Sequence, residues 1–223
     1  MNAYVHSSIN SDLSLVKMGN HVRSPKVPPR RRYNLKARAD KQAETHRALA
    51  RAASELHHTV GPSRTTISAI AERAGVQRLT VYRHFPDEEA IFTACTAYSF
   101  EADPPPRPDT WIGIDDPEER HRTALEQLYG YYRRKRQLLA NLYRDAEMPV
   151  VAAALERRRS MLRRAEEILS AGWKVGPAEL RFFGATLAHT LEFATWLSLA
   201  EEQDLSDTEA IELAVRLVKA STR

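Results

Sequence analysis

Between Gln77 and His84 the sequence sets out Gln77, Arg78, Thr80, Arg83 and His84, all able to donate a hydrogen bond, and no acid. Such groups suit the floor of a DNA major groove. Gln matches the edge of adenine, Arg matches guanine, and Thr can meet a thymine methyl. Leu79 belongs to the same candidate surface, and Tyr82 offers an apolar ring to pack with a hydroxyl that can reach a phosphate. A hairpin of helices built only for structure would have no reason to exclude acids from that face.

Two short helices must position this chemistry. The first is expected over Ile67–Ala74, with Thr66 as its N-cap. Gly75-Val76 forms a turn that needs positive φ, and the second helix runs to Phe85. With Ile67 as position one, the small Ala71 falls at five, Gly75 at nine and the aliphatic Val81 at fifteen, while Ile70 and Val76 add plugs. That spacing fits a helix-turn-helix unit. A helix over Asp40–His58 precedes it, with Leu49, Ala52, Ala53 and Leu56 as its apolar side, and Gly61-Pro62-Ser63 ends it. After Pro86, Asp87-Glu88-Glu89 opens a further helix carrying Ile91, Phe92, Cys95 and Tyr98.

The tract Thr65-Thr66-Ile67-Ser68-Ala69-Ile70-Ala71-Glu72-Arg73-Ala74-Gly75-Val76, followed by Thr80-Val81-Tyr82-Arg83-His84-Phe85-Pro86, resembles the TetR family of regulators. The likeness is detailed over residues 40–95; residues 101–223 match in being helical and of fitting length. The resemblance implies that Thr66 caps its helix and touches phosphate, that Arg78 and Thr80 lie in the major groove, and that Tyr82 and His84 contact the backbone. Two positions depart from the family pattern. Gln77 replaces a serine-like cap, and Glu88 stands where many members carry a phosphate-binding lysine.

Residues 1–100 hold 15 Lys/Arg and 8 Asp/Glu, a net +7, whereas residues 101–223 hold 18 and 21, a net −3. A basic front joined to a mildly acidic back suits a nucleic-acid reader with a separate sensing or partner domain. Residues 1–38 read as a flexible basic arm, in which Arg30, Arg31 and Arg32 form the densest cluster. Such an arm suits phosphates or a minor groove and could offset the loss at Glu88. A single cysteine, Cys95, excludes an intrachain disulfide framework. No stretch has the length of a membrane helix or a secretion signal, so the expected location is the cytoplasm. No nucleophile elbow, phosphate-binding glycine loop or metal-spaced His/Asp/Glu set is present, which argues against an enzyme, a metal site or a cofactor.

Asp103-Pro104-Pro105-Pro106-Arg107-Pro108 is a stiff break, dividing a DNA-binding domain with its linking helix (39–100) from a helical ligand and dimerisation domain (101–223). In the latter, Asp116-Pro117-Glu118 starts a helix. Breaks are expected near Arg136-Gln137, at Met148-Pro149, over 171–176 and over 203–207, and Ser206 with Glu209 forms a capping box. A helix over Pro177–Leu199, with Leu180, Phe183, Gly184, Leu187, Leu191 and Ala194 on one side, and a last helix with Ile211, Ala214, Val215 and Val218 are expected to pair across a two-fold axis as a four-helix bundle.

Tyr129, Tyr132, Met148, Phe183, His189 and Phe193 are the candidate lining of a pocket for a small, largely apolar effector, with Leu139, Met161 and Trp196 beside them. Aromatics and Met at this spacing equally suit plain core. Arg144-Asp145 reads as a buried ion pair, and Arg157-Arg158-Arg159 with Arg163-Arg164 as a solvated face. The expectation is an all-α chain that binds a palindromic duplex operator as a homodimer and is released by an effector. A repressor is the family's commoner outcome; an activator, or a helix-turn-helix interaction module without effector, is the alternative.

Overall fold

A computed structural model describes residues 30–223, with side chains from Leu35 onward. The candidate arm from 1 to 29, and the side chains of Arg30, Arg31 and Arg32, lie outside the described residues. Every regular element among the described residues is helical. The chain divides into residues 1–40 and a packed unit of residues 41–223.

Helix α1 spans Arg30–Thr59, ten residues earlier than the expected start at Asp40. Residues 30–38 are therefore helical and not an unstructured arm. The sequence explains this: no Pro or Gly occurs from Arg30 to Val60, and Leu35, Lys36, Ala37, Arg38 and Ala39 all favour helix. The predicted apolar side holds, since Leu49, Ala52, Ala53 and Leu56 are buried. A 3₁₀ turn at Pro62–Arg64 follows, then α2 (Ile67–Arg73), α3 (Arg78–His84) and α4 (Glu88–Ala102). Their shared core joins Leu49, Ala53, Ile70, Ala71, Val81, Phe85, Ile91 and Cys95.

A second 3₁₀ turn, Pro108–Trp111, leads into α5 (Pro117–Arg144). Asp116 caps α5 by accepting from the N–H groups of Glu118 and Glu119 at 2.8 and 2.9 Å, with Pro117 in the first turn. The break expected near Arg136-Gln137 does not occur. Arg133, Arg134, Lys135 and Arg136 are good helix formers, and acids from neighbouring segments meet them: Asp207 on Arg133, Asp103 on Arg134 and Lys135, Glu201 on Arg136. Helix α6 (Pro149–Ser170) follows, then α7 (Leu180–Thr190), α8 (Phe193–Leu197), a π-helical turn at Ser198–Glu202, and α9 (Asp207–Ala220) with the predicted Ser206–Glu209 capping box.

The helix expected over Pro177–Leu199 is thus broken after Thr190. Its last turn tightens into shorter bonds, Leu191 N–H to Ala188 O and Glu192 N–H to His189 O. The carbonyls freed there find other donors. The Tyr129 hydroxyl reaches Thr190 O at 2.9 Å, Tyr132 reaches Leu191 O at 2.6 Å, and the Thr195 hydroxyl reaches His189 O at 2.5 Å. Buried carbonyls left without such partners would be costly, so these hydroxyls hold the break in place. The second core packs Leu125, Leu128, Tyr129 and Tyr132 of α5 against Leu162 and Leu169 of α6, Phe183 and Leu187 of α7, Trp196 of α8, and Ala214 and Val218 of α9.

Candidate nucleic-acid interface and effector cavity

Thr66 caps α2 by accepting from Ala69 N–H at 3.1 Å. Gly75 has φ +66°, the left-handed turn that its position requires, and Val76 N–H closes that turn on Ala71 O at 2.9 Å. Ala71 and Val81 are buried where α2 and α3 meet. Helix α3 starts at Gln77, whose side chain makes no capping bond, as its amide suggested.

With Val81 turned inward, the outward face of α3 is Arg78, Leu79, Tyr82 and Arg83, with Gln77 at its start. Leu79 is 67% exposed and Tyr82 50%, so both stand at the centre of this face. Thr80 and His84 are half-buried and flank it. The His84 ring lies 5.9 Å from His46. Burial first, then His46 and Arg83, hold its imidazole below the ordinary histidine pKa, which favours a neutral N–H donor. Glu88 is exposed in the first turn of α4, where its charge would repel a phosphate.

Four of the six candidate effector residues are brought together, as packed core and not as the wall of a cavity. Tyr129, Tyr132, Phe183 and Phe193 are buried in the second core, Met148 packs against the small cluster of Phe92, Val151 and Leu155, and His189 is exposed. The aromatic candidates are taken up by bonding the α7–α8 break and by stacking: Phe193 lies 5.7 Å from both Tyr132 and Trp196. His189 sits on an apolar helix but on its outer side.

A cavity of about 260 Å³ lies elsewhere, between α1 and α4 on one side and α5 and α6 on the other. Phe92, Tyr131, Leu139, Leu142, Leu155 and Met161 form much of its wall, and Ser54, His57, Cys95 and Arg158 reach it as well. Leu139 and Met161 are the two residues of the wider candidate set found there. Burial pulls the His57 pKa down to about 4 and pushes Cys95 up to about 12. At neutral pH both are uncharged, 3.3 Å apart, and the thiol is unreactive.

Two features escaped the sequence reading. One is a cluster at the end of α5 that grips the end of α1. Asn141 donates to the carbonyls of His57 and His58, Arg144 donates to Val60 O, and Asp145 accepts from Ser63 N–H. The Arg144–Asp145 pair was legible, but its partners lie more than 80 residues back in the chain. The other is Arg158. Arg159, Arg163 and Arg164 are exposed and paired with Glu156, Asp109 and Glu167, and Arg157 is exposed at the cavity rim, but Arg158 is half-buried and turns inward. Its register gave a signal: Val151, Leu155, Leu162, Ala165 and Leu169 are the buried stripe of α6, and 158 falls on that stripe.

Apolar side chains also remain exposed on the last helices. Phe182 is 65% and Leu180 58% exposed on α7, and Leu213 and Leu217 are exposed on α9. Phe183, Leu187, Leu191, Ile211, Ala214, Val215 and Val218, expected to pair between subunits, are instead buried within the single chain. Among the described residues no helix is long and apolar enough to cross a membrane.

Residues 49–95 match the family described as bacterial regulatory proteins, tetR family. No curated protein sequence matches the chain. Solved structures are similar along most of its length. A TetR-like transcriptional regulator from Rhodococcus sp. RHA1 is 19% identical with a TM-score of 0.57, covering 78% of this chain and 93% of its own. NalD, the secondary repressor of the MexAB-OprM multidrug efflux pump in Pseudomonas aeruginosa, is 20% identical with a TM-score of 0.57, covering 80% and 96%. A transcriptional regulator from Aquifex aeolicus VF5 is 17% identical with a TM-score of 0.53, covering 79% and 98%. At these identities the likeness is one of fold.

Proposed function

We propose that the chain, whose residues 49–95 match the tetR family of bacterial regulatory proteins, acts as a homodimeric repressor whose α3 reads a palindromic operator and whose interdomain cavity takes a largely apolar effector. The observation that carries this reading is the composition of one surface. Gln77, Arg78, Leu79, Tyr82 and Arg83 stand exposed on and beside α3, acids are absent from that helix, and Val81 anchors it from behind. Arg and Gln supply base-edge donors, and Leu79 supplies apolar contact.

Leu180, Phe182, Leu213 and Leu217 favour pairing of α7 and α9 with their copies in a second chain. A dimer would set two α3 helices on half-sites about one helical turn apart, ~34–36 Å. The fold shared with the repressor NalD favours repression over activation.

The cavity touches Phe92, Cys95, Thr96 and Ser99 of α4 as well as α5 and α6. An effector that fits better when α4 is shifted would lower operator affinity, and by linkage the operator would weaken effector binding by the same factor. Selection of bound sequences from a random duplex pool tests the reading as a whole. The expected product is a two-fold symmetric consensus. An enriched single site without symmetry would refute the dimer, and no enrichment would refute operator reading.

A further inference from the structure

Arg158 is a guanidinium drawn into a largely apolar space without a counter-anion. Among the described residues no carboxylate lies within ion-pair distance of it. Its Nη2 donates to the Tyr132 hydroxyl at 2.7 Å and its Nε to the Tyr143 hydroxyl at 3.3 Å, and its carbon lies 4.8 Å from the Tyr132 ring centroid. Its Nη1 has no hydrogen-bond partner among the described residues. The tyrosines orient the fork but do not neutralise it, because burial pushes Tyr132 up to about 12 and keeps its hydroxyl protonated.

The surrounding wall sharpens the contrast. The residues lining the cavity include no Asp or Glu, and His57 there is uncharged at neutral pH. The arginines that follow on α6, Arg159, Arg163 and Arg164, each have an acid partner. An arginine held in low dielectric without an anion is costly unless something supplies the charge. A guanidinium fork matches a carboxylate with two parallel hydrogen bonds.

We propose that the effector is an apolar carboxylic acid, its carboxylate seated on Arg158 and its body lying against Phe92, Tyr131, Leu139, Leu155 and Met161. This rests on the reading of the cavity as the effector site. Arg158 is a positioning and specificity residue: it selects the head group, while the apolar wall accepts either an aliphatic or an aromatic body of suitable size.

The test uses two series of probes that differ only at the head: octanoate, octanol and octylamine, and 3-phenylpropionate, 3-phenylpropanol and 3-phenylpropylamine. Each is titrated into the full-length protein by calorimetry at neutral pH. The expected order in at least one series is acid above alcohol by tenfold or more, with no measurable amine binding; the series that binds distinguishes an aliphatic from an aromatic source. Arg158→Gln should remove the preference of acid over alcohol while leaving alcohol binding within threefold. Leu155→Trp, which fills the cavity, should abolish binding of every probe. Alcohol or amine binding as well as the acid, with sensitivity to Leu155→Trp, would overturn the charge assignment and leave the cavity reading intact. Acid binding unaffected by Leu155→Trp, or no binding by any probe, would overturn both. If Arg158→Gln does not fold, the order of heads on the unaltered protein decides the question.

Discussion

The carboxylate of Asp145, at the end of α5, accepts the backbone N–H of Ser63 at 3.0 Å, and so ties a helix that walls the 260 Å³ cavity to the turn that precedes α2. Arg144 completes the tie by bonding both Asp145 oxygens and the Val60 carbonyl. Asp145 is buried, and Arg144 and Ser63 hold its pKa down to about 2. Asp145→Ala leaves the part-buried Ser63 N–H and the exposed Arg144 guanidinium without their partner. A loss of about 1–2 kcal/mol in urea unfolding is expected; a change under about 0.5 kcal/mol would remove the cluster from the account.

Gly61 sits inside the same cluster at φ +93°, and a methyl group there would collide with the Arg144 guanidinium and lie 2.8 Å from Asp145 Oδ2. Gly75, at φ +66°, has open space around it. Gly75→Ala should therefore cost only backbone strain, on the order of 1–2 kcal/mol, and Gly61→Ala clearly more. Equal unfolding midpoints for the two variants would show that the cluster yields freely.

His57 and His121 are both buried, and burial pulls each pKa from 6.5 to about 4. Above pH 6.5 both are neutral in folded and unfolded chains, and their contribution is fully present. Between 6.5 and 4 the unfolded chain takes up protons that the folded chain does not. Stability should then fall by up to about 1.4 kcal/mol per pH unit for each histidine. Asp145 adds no slope in this window, since its contribution is lost only as pH falls from 3.8 toward 2. Unfolding midpoints measured from pH 7 to pH 4.5 check this, and His121→Gln should flatten the curve. A level profile over that range would contradict it.

Phe182 and Leu217 are exposed apolar side chains on α7 and α9. Phe182→Glu should shift the protein from dimer to monomer in sedimentation velocity without lowering its helical content. Operator affinity should drop with it, because each half-site must then be held alone. An unchanged dimer would move the interface elsewhere.

The DNA-reading unit was legible because its determinants are local. The Thr66 cap, the Gly75 turn and the Val81 plug act within a span of 16 residues, and all three take their expected roles. The cavity between α1, α4, α5 and α6 was not legible in the same way. Tyr129 and Tyr132 look like pocket aromatics in sequence, but their hydroxyls are committed to carbonyls about 60 residues further on, where α7 breaks. The continuation of α5 past Arg136 was legible in the helix propensity of its residues, but the acids at Asp103, Glu201 and Asp207 that offset its run of four cations lie in no window of sequence around it. Arg158 is the exception, since its place on the buried stripe of α6 could have been read from register alone.

The central claim is that α3 discriminates base edges, and one titration addresses it. The purified protein is bound to the selected duplex, and to single-base variants of it, in excess bulk competitor DNA at about 0.15 M salt, beside Arg78→Ala. The account predicts saturable binding by pairs of chains. It also predicts that Arg78→Ala loses about 1–3 kcal/mol and stops distinguishing the bases at one position of each half-site. Uniform weakening across all variants would make Arg78 a phosphate contact, and no preference for any duplex over competitor would contradict the account.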